Sequence, residues 1–167
     1  GHTFETASDT EVILTSYLEY GPEFVTKLNG IFAIAIMDPV QDRLILYRDR
    51  AGVKPLFYTV AEETVVFSSE LKGLLCFPGI KPRISKNGLN EIFSIGPART
   101  SGTGVFEDVY EVLPGHYLIC APDHCRQDCY WKLESHPHEA SYEKTIETTA
   151  FLVEVSIRRQ MVSDVSV

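Results

Sequence analysis

The sequence has no apolar run approaching the ~18 residues that a membrane-spanning helix needs, and no cluster of basic residues. Its densest basic pair is Arg158 and Arg159, and the 167 residues carry a formal net charge of −8. Because nucleic acids and anionic lipid surfaces bind clustered positive charge, neither is expected as a partner. The N-terminal residues also lack the pattern of a signal peptide, so a cytoplasmic protein is expected.

Cysteine is scarce: the chain contains four, namely Cys76, Cys120, Cys125 and Cys129. They follow no regular framework, so free thiols in a reducing cytoplasm are predicted. The last three lie near His116 and His124, which are also metal-ligand residue types. Their spacings of five and four residues do not give the paired Cys-x-x-Cys pattern of structural zinc sites, so no metal site is predicted.

The sequence contains enough apolar residues to form a core, because its hydrophobic fraction is 44%. Short apolar runs separated by turn residues are typical of strands, and consecutive ones predict antiparallel hairpins. The first run is apolar on both alternating faces, which is typical of a strand buried on both sides. The predicted strands are 31–37, 44–47, 56–60, 65–67, 117–120 and 130–131.

Helices are predicted between and around these strands. Ser8 with Glu11 three residues later is a capping-box pattern, so a helix should begin after Ser8 and end at Gly21. Shorter helices are predicted at residues 22–28, 69–76 and 85–93. Segregated helices and hairpin strands predict an α+β fold with antiparallel sheets and helices on their faces.

The pattern changes near the C-terminus. From Ser141 onward, apolar residues recur every three or four positions, which predicts an amphipathic helix as far as Met161. Residues 133–140 are polar, with a proline and two histidines, and are interpreted as a linker. The sequence thus divides into a large region, a linker and a helix.

Six blocks in order carry a more specific signal: residues 8–13, 28–33, 48–58, 68–72, 113–116 and 130–131. Together they resemble the class II glutamine amidotransferase domain of asparagine synthetases. That resemblance implies a four-layer α-β-β-α sandwich of antiparallel sheets, as in Ntn hydrolases, here incomplete. Residues 158–167 resemble the segment before that family's pyrophosphate-binding loop. The implied division is residues 1–132 for a partial amidotransferase domain, 133–140 for the linker and 141–167 for the start of the synthetase domain.

The resemblance also implies a chemistry. In that family an N-terminal cysteine thiolate attacks the side-chain amide of glutamine, its α-amine relays the proton, and an Asn side chain and a Gly N–H stabilise the oxyanion. Ammonia then passes to the synthetase domain, which amidates aspartate with ATP and Mg²⁺. Residue 1 is Gly1, and no catalytic residue is assigned within the chain. We expect the nucleophile upstream of Gly1, an inactive isolated chain, and no cofactor bound by the chain itself.

One substrate-binding residue carries over from the family. Asp9 matches the carboxylate that binds the α-ammonium group of glutamine. The alternative role for Asp9 is that of an ordinary acid in the first turn of the helix, where it would stabilise the helix dipole. A run of three charged residues follows the second predicted strand: Arg48, Asp49 and Arg50. They could form a charged network that shapes the pocket or the contact with the synthetase domain. They could instead form a structural salt-bridge cluster at a hairpin, and this structural role is favoured. Gly52 is expected to supply a backbone angle that a Cβ atom would forbid.

Two other functions compete with the first. The domain could serve a different acceptor, or it could be a non-catalytic scaffold; a Met-Cys-Gly start encoded upstream of Gly1 would support the glutaminase. The expected partners are glutamine and the synthetase domain of the same polypeptide, with homo-oligomerisation left open.

Missing N-terminal strands should leave an open sheet edge. The helix at 141–161 should lack its natural partner, and therefore pack back, self-associate or be poorly ordered.

Overall fold

The computed structural model describes residues 1–94, 96 and 100–161. The chain forms two compact units, Gly1–Lys132 and a second that begins at Leu133. Residues 162–167, the end of the predicted synthetase-domain segment 141–167, lie outside the described residues.

The first unit contains the strands and most of the helices. The described strands are β1 (Ala33–Asp38), β2 (Arg43–Arg48), β3 (Phe57–Ala61), β4 (Thr64–Ser68), β5 (Tyr110–Glu111), β6 (His116–Ala121) and β7 (His124–Cys129). The helices of this unit are α1 (Asp9–Tyr20), a 3-10 segment (Gly21–Lys27), α2 (Leu71–Leu75) and α3 (Lys86–Ser94). One sheet has the order β1-β2-β6-β7 and the other β4-β3-β5, and every neighbouring pair is antiparallel.

The four-stranded sheet has helices on one face. Because successive side chains on a strand point to opposite faces, β2 and β6 direct Ile45, Tyr47, Tyr117 and Ile119 to the same side. There they pack against Tyr17 of α1 and against the 3-10 segment, whose Phe24 and Val25 are fully buried. Removing an aliphatic side chain of this size from water contributes about 1.5–3 kcal/mol.

The opposite face of that sheet packs on the second sheet. Leu46, Leu118 and Cys120 of the first sheet contact Leu56 and Val112, beside the strands of the second. The outer face of the second sheet is covered in turn by α2, where Phe57 packs against Leu74 and Val109. The layers therefore run helix, sheet, sheet, helix, and the predicted four-layer α+β sandwich of antiparallel sheets is confirmed.

Two strands were not predicted, and one predicted strand does not form. β7 is polar and mostly exposed, so its sequence lacks the alternation of apolar and polar residues that predicts a strand. It is a strand because its backbone pairs with β6. The predicted strand 130–131 is absent because Tyr130 and Trp131 both donate their backbone N–H groups to the Gly115 carbonyl, at 2.9 and 3.0 Å. β5 is only two residues long. β1 lies at one edge of the four-stranded sheet, and the expectation that missing N-terminal strands leave an edge open stays a prediction.

The pairing of β6 with β7 also corrects the prediction of free thiols. The register places Cys120 directly opposite Cys125, with their Cα atoms 4.1 Å apart, and the two form a disulfide. Cys76 and Cys129 are free and exposed. Because β7 was not recognised in the sequence, the two cysteines could not be placed opposite each other. The disulfide also occupies two of the three sulfur atoms that had been weighed as metal ligands.

The second unit contains one long helix, α4 (Tyr142–Gln160). Ser141 caps it by accepting a hydrogen bond from the backbone N–H of Lys144, and the predicted helix is confirmed to within a residue at each end. No residue of α4 is buried, so what covers its apolar face stays a prediction. Among the described residues, no helix is both long enough and apolar enough to cross a bilayer.

Candidate functional site

The start of α1 positions the predicted substrate residue. Ser8 caps the helix through a bond from the Thr10 N–H to its Oγ, at 3.2 Å. The capping box does not close: the Glu11 carboxylate instead accepts the N–H groups of Glu5 and Thr6, each at 2.8 Å. These bonds, with Glu5 the largest cause, hold the pKa of Glu11 below its usual value. They tie the preceding segment to the first turn, which is the turn that carries Asp9.

Asp9 lines a groove of about 500 Å³ between α1 and β1. The floor includes residues 31–36, which comprise most of the edge strand and the two residues before it, and Lys54 and Ser69 lie on the groove as well. Among the described lining residues, Asp9 is the only acid and Lys54 the only base. Within the described part of the chain, neither side-chain charge has a hydrogen-bond or ion-pair partner, so both are open to a ligand.

Lys54 reaches the groove from a loop that Asp49 organises. The Asp49 side chain is buried, and its Oδ1 accepts the N–H groups of Ala51 and Val53 at 3.1 and 3.0 Å. Its Oδ2 accepts the N–H of Lys54 at 2.9 Å. Three of the backbone donors of the loop are therefore fixed by one carboxylate.

Arg48 holds the same loop from the other side. Its buried guanidinium pairs with Glu111, where Nη1 lies 2.9 Å from Oε1. It also donates to three backbone carbonyls, those of Gly52, Lys54 and Val112. The structural role favoured for Arg48 and Asp49 is thus confirmed. Because the loop they order carries Lys54, the same bonds also shape the groove.

Gly52 makes the loop turn possible. Its φ of +66° lies in the left-handed region that disfavours residues with a Cβ atom. A Cβ at this position would lie 2.7 Å from Pro114 Cγ and 3.1 Å from Arg48 Cζ. The expected backbone constraint at Gly52 is therefore confirmed, and close packing adds to it.

Other candidate residues lie elsewhere. Glu70 and Lys72 form an exposed ion pair on the surface, and Glu70 makes no capping bond to α2. Arg50 donates to the carbonyl of Thr26, at 3.2 Å. None of the four cysteines is among the described residues that line the groove. The sequence analysis did not single out Lys54, which lies two residues after Gly52 in the polar loop that follows β2.

Comparison with known families matches residues 1–131 to the glutamine amidotransferase domain. The chain belongs to this family. The resemblance found from the six sequence blocks is therefore confirmed, and the amidotransferase domain fills the first structural unit.

Individual relatives agree with this assignment. The amidotransferase chain is 45% identical over its full length to asparagine synthetase [glutamine-hydrolyzing] 3 of Bacillus subtilis, of which it covers 27%. It is 39% identical over 76% of its length to the amidase chry2 of Gibberella zeae, of which it covers 18%. The chain thus spans about a quarter or less of the length of these curated relatives.

A solved structure supports the fold alone. The B. subtilis glutamine phosphoribosylpyrophosphate amidotransferase, complexed with ADP and GMP, matches with a TM-score of 0.53 and 21% identity. The match covers 78% of the amidotransferase chain and 24% of that structure's chain. It is consistent with the four-layer sandwich of antiparallel sheets described above.

Proposed function

We propose that this amidotransferase domain binds free glutamine in the groove beside Asp9, as part of a longer asparagine synthetase. The parent would hydrolyse the side-chain amide to glutamate and ammonia, and use the ammonia to amidate aspartate. The observation that carries the proposal is the carboxylate of Asp9, which has no side-chain partner among the described residues and lines a groove. The chain that carries it is 45% identical, over its own full length, to a glutamine-hydrolysing asparagine synthetase.

The groove offers a charged group for the α-ammonium end of glutamine and apolar surface for its methylene groups. A carboxylate that accepts hydrogen bonds from an α-ammonium group makes a charge-assisted contact, which contributes about 1.5–3 kcal/mol. Ile13, Ile34 and Ile36 line the same groove and offer apolar surface to the methylene groups. Asp9 would thereby select an amino acid over a simple amide.

The hydrolytic step needs a thiolate, and no cysteine is among the described residues that line the groove. Thiolate attack on the amide carbon forms a thioester and expels ammonia, and water then cleaves the thioester to release glutamate. We assign that thiolate to the parent and expect the 167-residue chain to hydrolyse no glutamine above background. ATP and Mg²⁺ are assigned to the rest of the parent.

Binding is tested directly on the purified chain. L-Glutamine added to ¹⁵N-labelled protein should cause saturable chemical-shift changes at the amides of Asp9, Ile34 and Lys54. The Asp9→Asn variant should bind glutamine about 10–100-fold more weakly, because the charge-assisted contact is lost. Glu63→Gln removes an exposed carboxylate in the β3–β4 turn and should leave the affinity unchanged. Equal affinities of the Asp9→Asn variant and the wild type would refute the assignment of Asp9.

Catalysis is tested on two polypeptides. The purified chain should release no glutamate from glutamine, and measurable turnover would contradict the absence of a nucleophile. The protein encoded by the complete reading frame, including codons upstream of Gly1, should hydrolyse glutamine and form asparagine from aspartate and ATP. Glutamine hydrolysis without formation of asparagine would favour a different acceptor. The absence of both activities would favour a non-catalytic scaffold.

Fractionation of the native cells would test the proposed cytoplasmic location.

A further inference from the structure

The three-stranded sheet, β4-β3-β5, has a short open edge along β3. On a strand, the backbone N–H and C=O groups of alternate residues point to the same neighbouring strand. On the side of β5, the Leu56 carbonyl accepts the N–H of Val112 at 2.9 Å. Two residues further along β3, Tyr58 lies opposite Tyr110. Val60 is the next residue whose N–H and C=O point to this side; it is 47% exposed, and no backbone group of the described residues meets them.

β5 does not reach Val60 because the chain before it turns away. Asp108 has a φ of +56°, and Glu107 donates its N–H to the Arg83 carbonyl at 2.8 Å. The place beside Val60 that a longer β5 would occupy is therefore left as a groove of about 330 Å³. This β3 groove is lined by residues 59–61, 79–81, 83, 107 and 108.

The β3 groove carries four charged side chains, two of each sign. Lys81 and Arg83 are basic, and Glu107 and Asp108 are acidic. All four are exposed, and within the described part of the chain no ion pair or side-chain hydrogen bond engages any of them. An unpaired backbone edge is a template for another extended chain. Because the charges around this edge have both signs, they complement a segment that carries an acid and a base.

We propose that the β3 groove binds an extended peptide segment of a partner protein, which pairs with Val60 and adds a strand to the sheet. An acidic side chain of the segment meets Lys81 and Arg83. A basic side chain of the segment meets Glu107 and Asp108. In this mode of binding, main-chain hydrogen bonds provide affinity and side-chain contacts provide specificity. The inference is independent of the proposed function, because neither glutamine nor its groove takes part in it.

Synthetic hexapeptides with blocked ends serve as probes. Thr-Glu-Val-Lys-Val-Thr and Thr-Lys-Val-Glu-Val-Thr present the acid and the base in both orders, so that either direction of the added strand is covered. With the ¹⁵N-labelled 167-residue chain, at least one of them should shift the amide resonance of Val60 saturably and slow its hydrogen exchange. That peptide should bind about 2–30-fold more tightly than the uncharged Thr-Gln-Val-Gln-Val-Thr, as expected for two exposed ion pairs.

Paired substitutions separate the two charges. Replacing either charged residue of the better peptide by Gln gives an acid-only and a base-only peptide. The variant with Lys81→Gln and Arg83→Gln should no longer prefer the acid-only peptide to the uncharged one, and should still prefer the base-only peptide. The variant with Glu107→Gln and Asp108→Asn should do the reverse, and Asn tolerates the positive φ at that position. Lys72→Gln, at an exposed position of α2 that does not line the groove, is the control and should keep both preferences.

Backbone pairing is tested with the wild-type chain. N-methylation removes a single N–H group from the peptide, and only alternate N–H groups of a strand face the same neighbour. Methylation of one of the two central residues should therefore abolish the shift at Val60, whereas methylation of the other should preserve it. Equal effects at the two positions would overturn the pairing with β3.

Three further outcomes would also overturn the proposal. The first is the absence of a saturable shift at Val60 with either charged peptide, and the second is full retention of both charge preferences in both paired variants. The third is a different occupant. Saturation by free glutamate and free lysine at the same concentrations as the peptide would indicate a small-molecule site. A shift at Val60 that depends on protein concentration without any peptide would indicate a second copy of the chain.

Discussion

Arg48 and Glu111 form an ion pair inside the protein, with Nη1 of Arg48 2.9 Å from Oε1 of Glu111 and side chains only 7% and 5% exposed. Arg48 ends β2 in the four-stranded sheet, and Glu111 ends β5 in the other. The pair therefore joins the two sheets at the point where the Lys54 loop begins. Its integrity decides both the stability of the sandwich and the shape of the groove.

Glu111→Gln should destabilise the protein strongly. It leaves the Arg48 guanidinium buried without its counter-charge, and breaking a buried pair in this way costs about 3–5 kcal/mol. Urea unfolding followed by fluorescence of Trp131, the only tryptophan, measures the change. The control is Glu70→Gln, which removes one partner of the exposed pair with Lys72 and should cause no measurable change. Equal effects of the two substitutions would show that the buried pair adds nothing to stability.

Gly52→Ala should destabilise the loop for two separable reasons. A Cβ atom at positive φ costs about 1–2 kcal/mol, and its approach to Pro114 Cγ at 2.7 Å adds about 1–3 kcal/mol of overpacking. Gly79→Ala is the matched control, because Gly79 also has a positive φ but has open space where the Cβ atom would lie. Urea unfolding should therefore show a larger loss for Gly52→Ala. A loss of unfolding free energy equal to that of Gly79→Ala would mean that Pro114 and Arg48 can shift to accommodate the Cβ atom without destabilising the protein.

Removing the Cys120–Cys125 disulfide should cost less than removing a disulfide that closes a long loop, because the loop it closes is short. For a separation of five residues, the loss of loop-closure entropy predicts roughly 2 kcal/mol. Cys125→Ser tests this by urea unfolding, and the variant should match the wild type under reducing conditions. Cys76→Ser, at an exposed free thiol, should have no effect. Mass spectrometry of the native protein after thiol labelling should find two free cysteines, and four would contradict the disulfide.

The sequence predicted those parts of the fold in which apolar side chains alternate. β2 and β6 were found because their alternate residues fill two different cores, above and below the same sheet. β7 was missed because its side chains are mostly polar and exposed, and because its position depends on backbone bonds to β6. The pairing of Cys120 with Cys125 depends on that register, so it was missed for the same reason.

The candidate site was predictable only in part. Asp9 was singled out because it lies in a short block of residues typical of the family, at a recognisable helix start; the structure places it on a groove, and its role in binding glutamine stays a prediction. Lys54 was not singled out, because a lysine in a polar loop has no local signal that separates a groove-lining charge from a solvated one. What distinguishes it is the fixation of its backbone by Asp49 and Arg48, which becomes visible only when the loop is folded.

The last prediction concerns alkaline pH and Tyr130, whose hydroxyl donates to the Arg48 carbonyl at 2.7 Å. Burial first, and then the nearby Asp49 carboxylate, raise the pKa of Tyr130 to about 12. An unfolded tyrosine has a pKa near ~10. The folded state therefore binds more protons than the unfolded state above that pH. The contribution of Tyr130 to stability is complete below about pH 10 and is lost as the pH rises towards 12.

Urea unfolding between pH 9 and pH 12 should therefore show a falling free energy of unfolding. Tyr130→Phe should be less stable than the wild type at neutral pH, because it lacks the bond to the Arg48 carbonyl, but its stability should fall less steeply above about pH 10. Tyr142→Phe is the control, since Tyr142 is 76% exposed, and it should keep the wild-type slope. Because burial also raises the pKa of Tyr17 and Tyr58, some slope should persist in Tyr130→Phe. A slope identical to that of the wild type would show that Tyr130 ionises equally well in the folded and unfolded states.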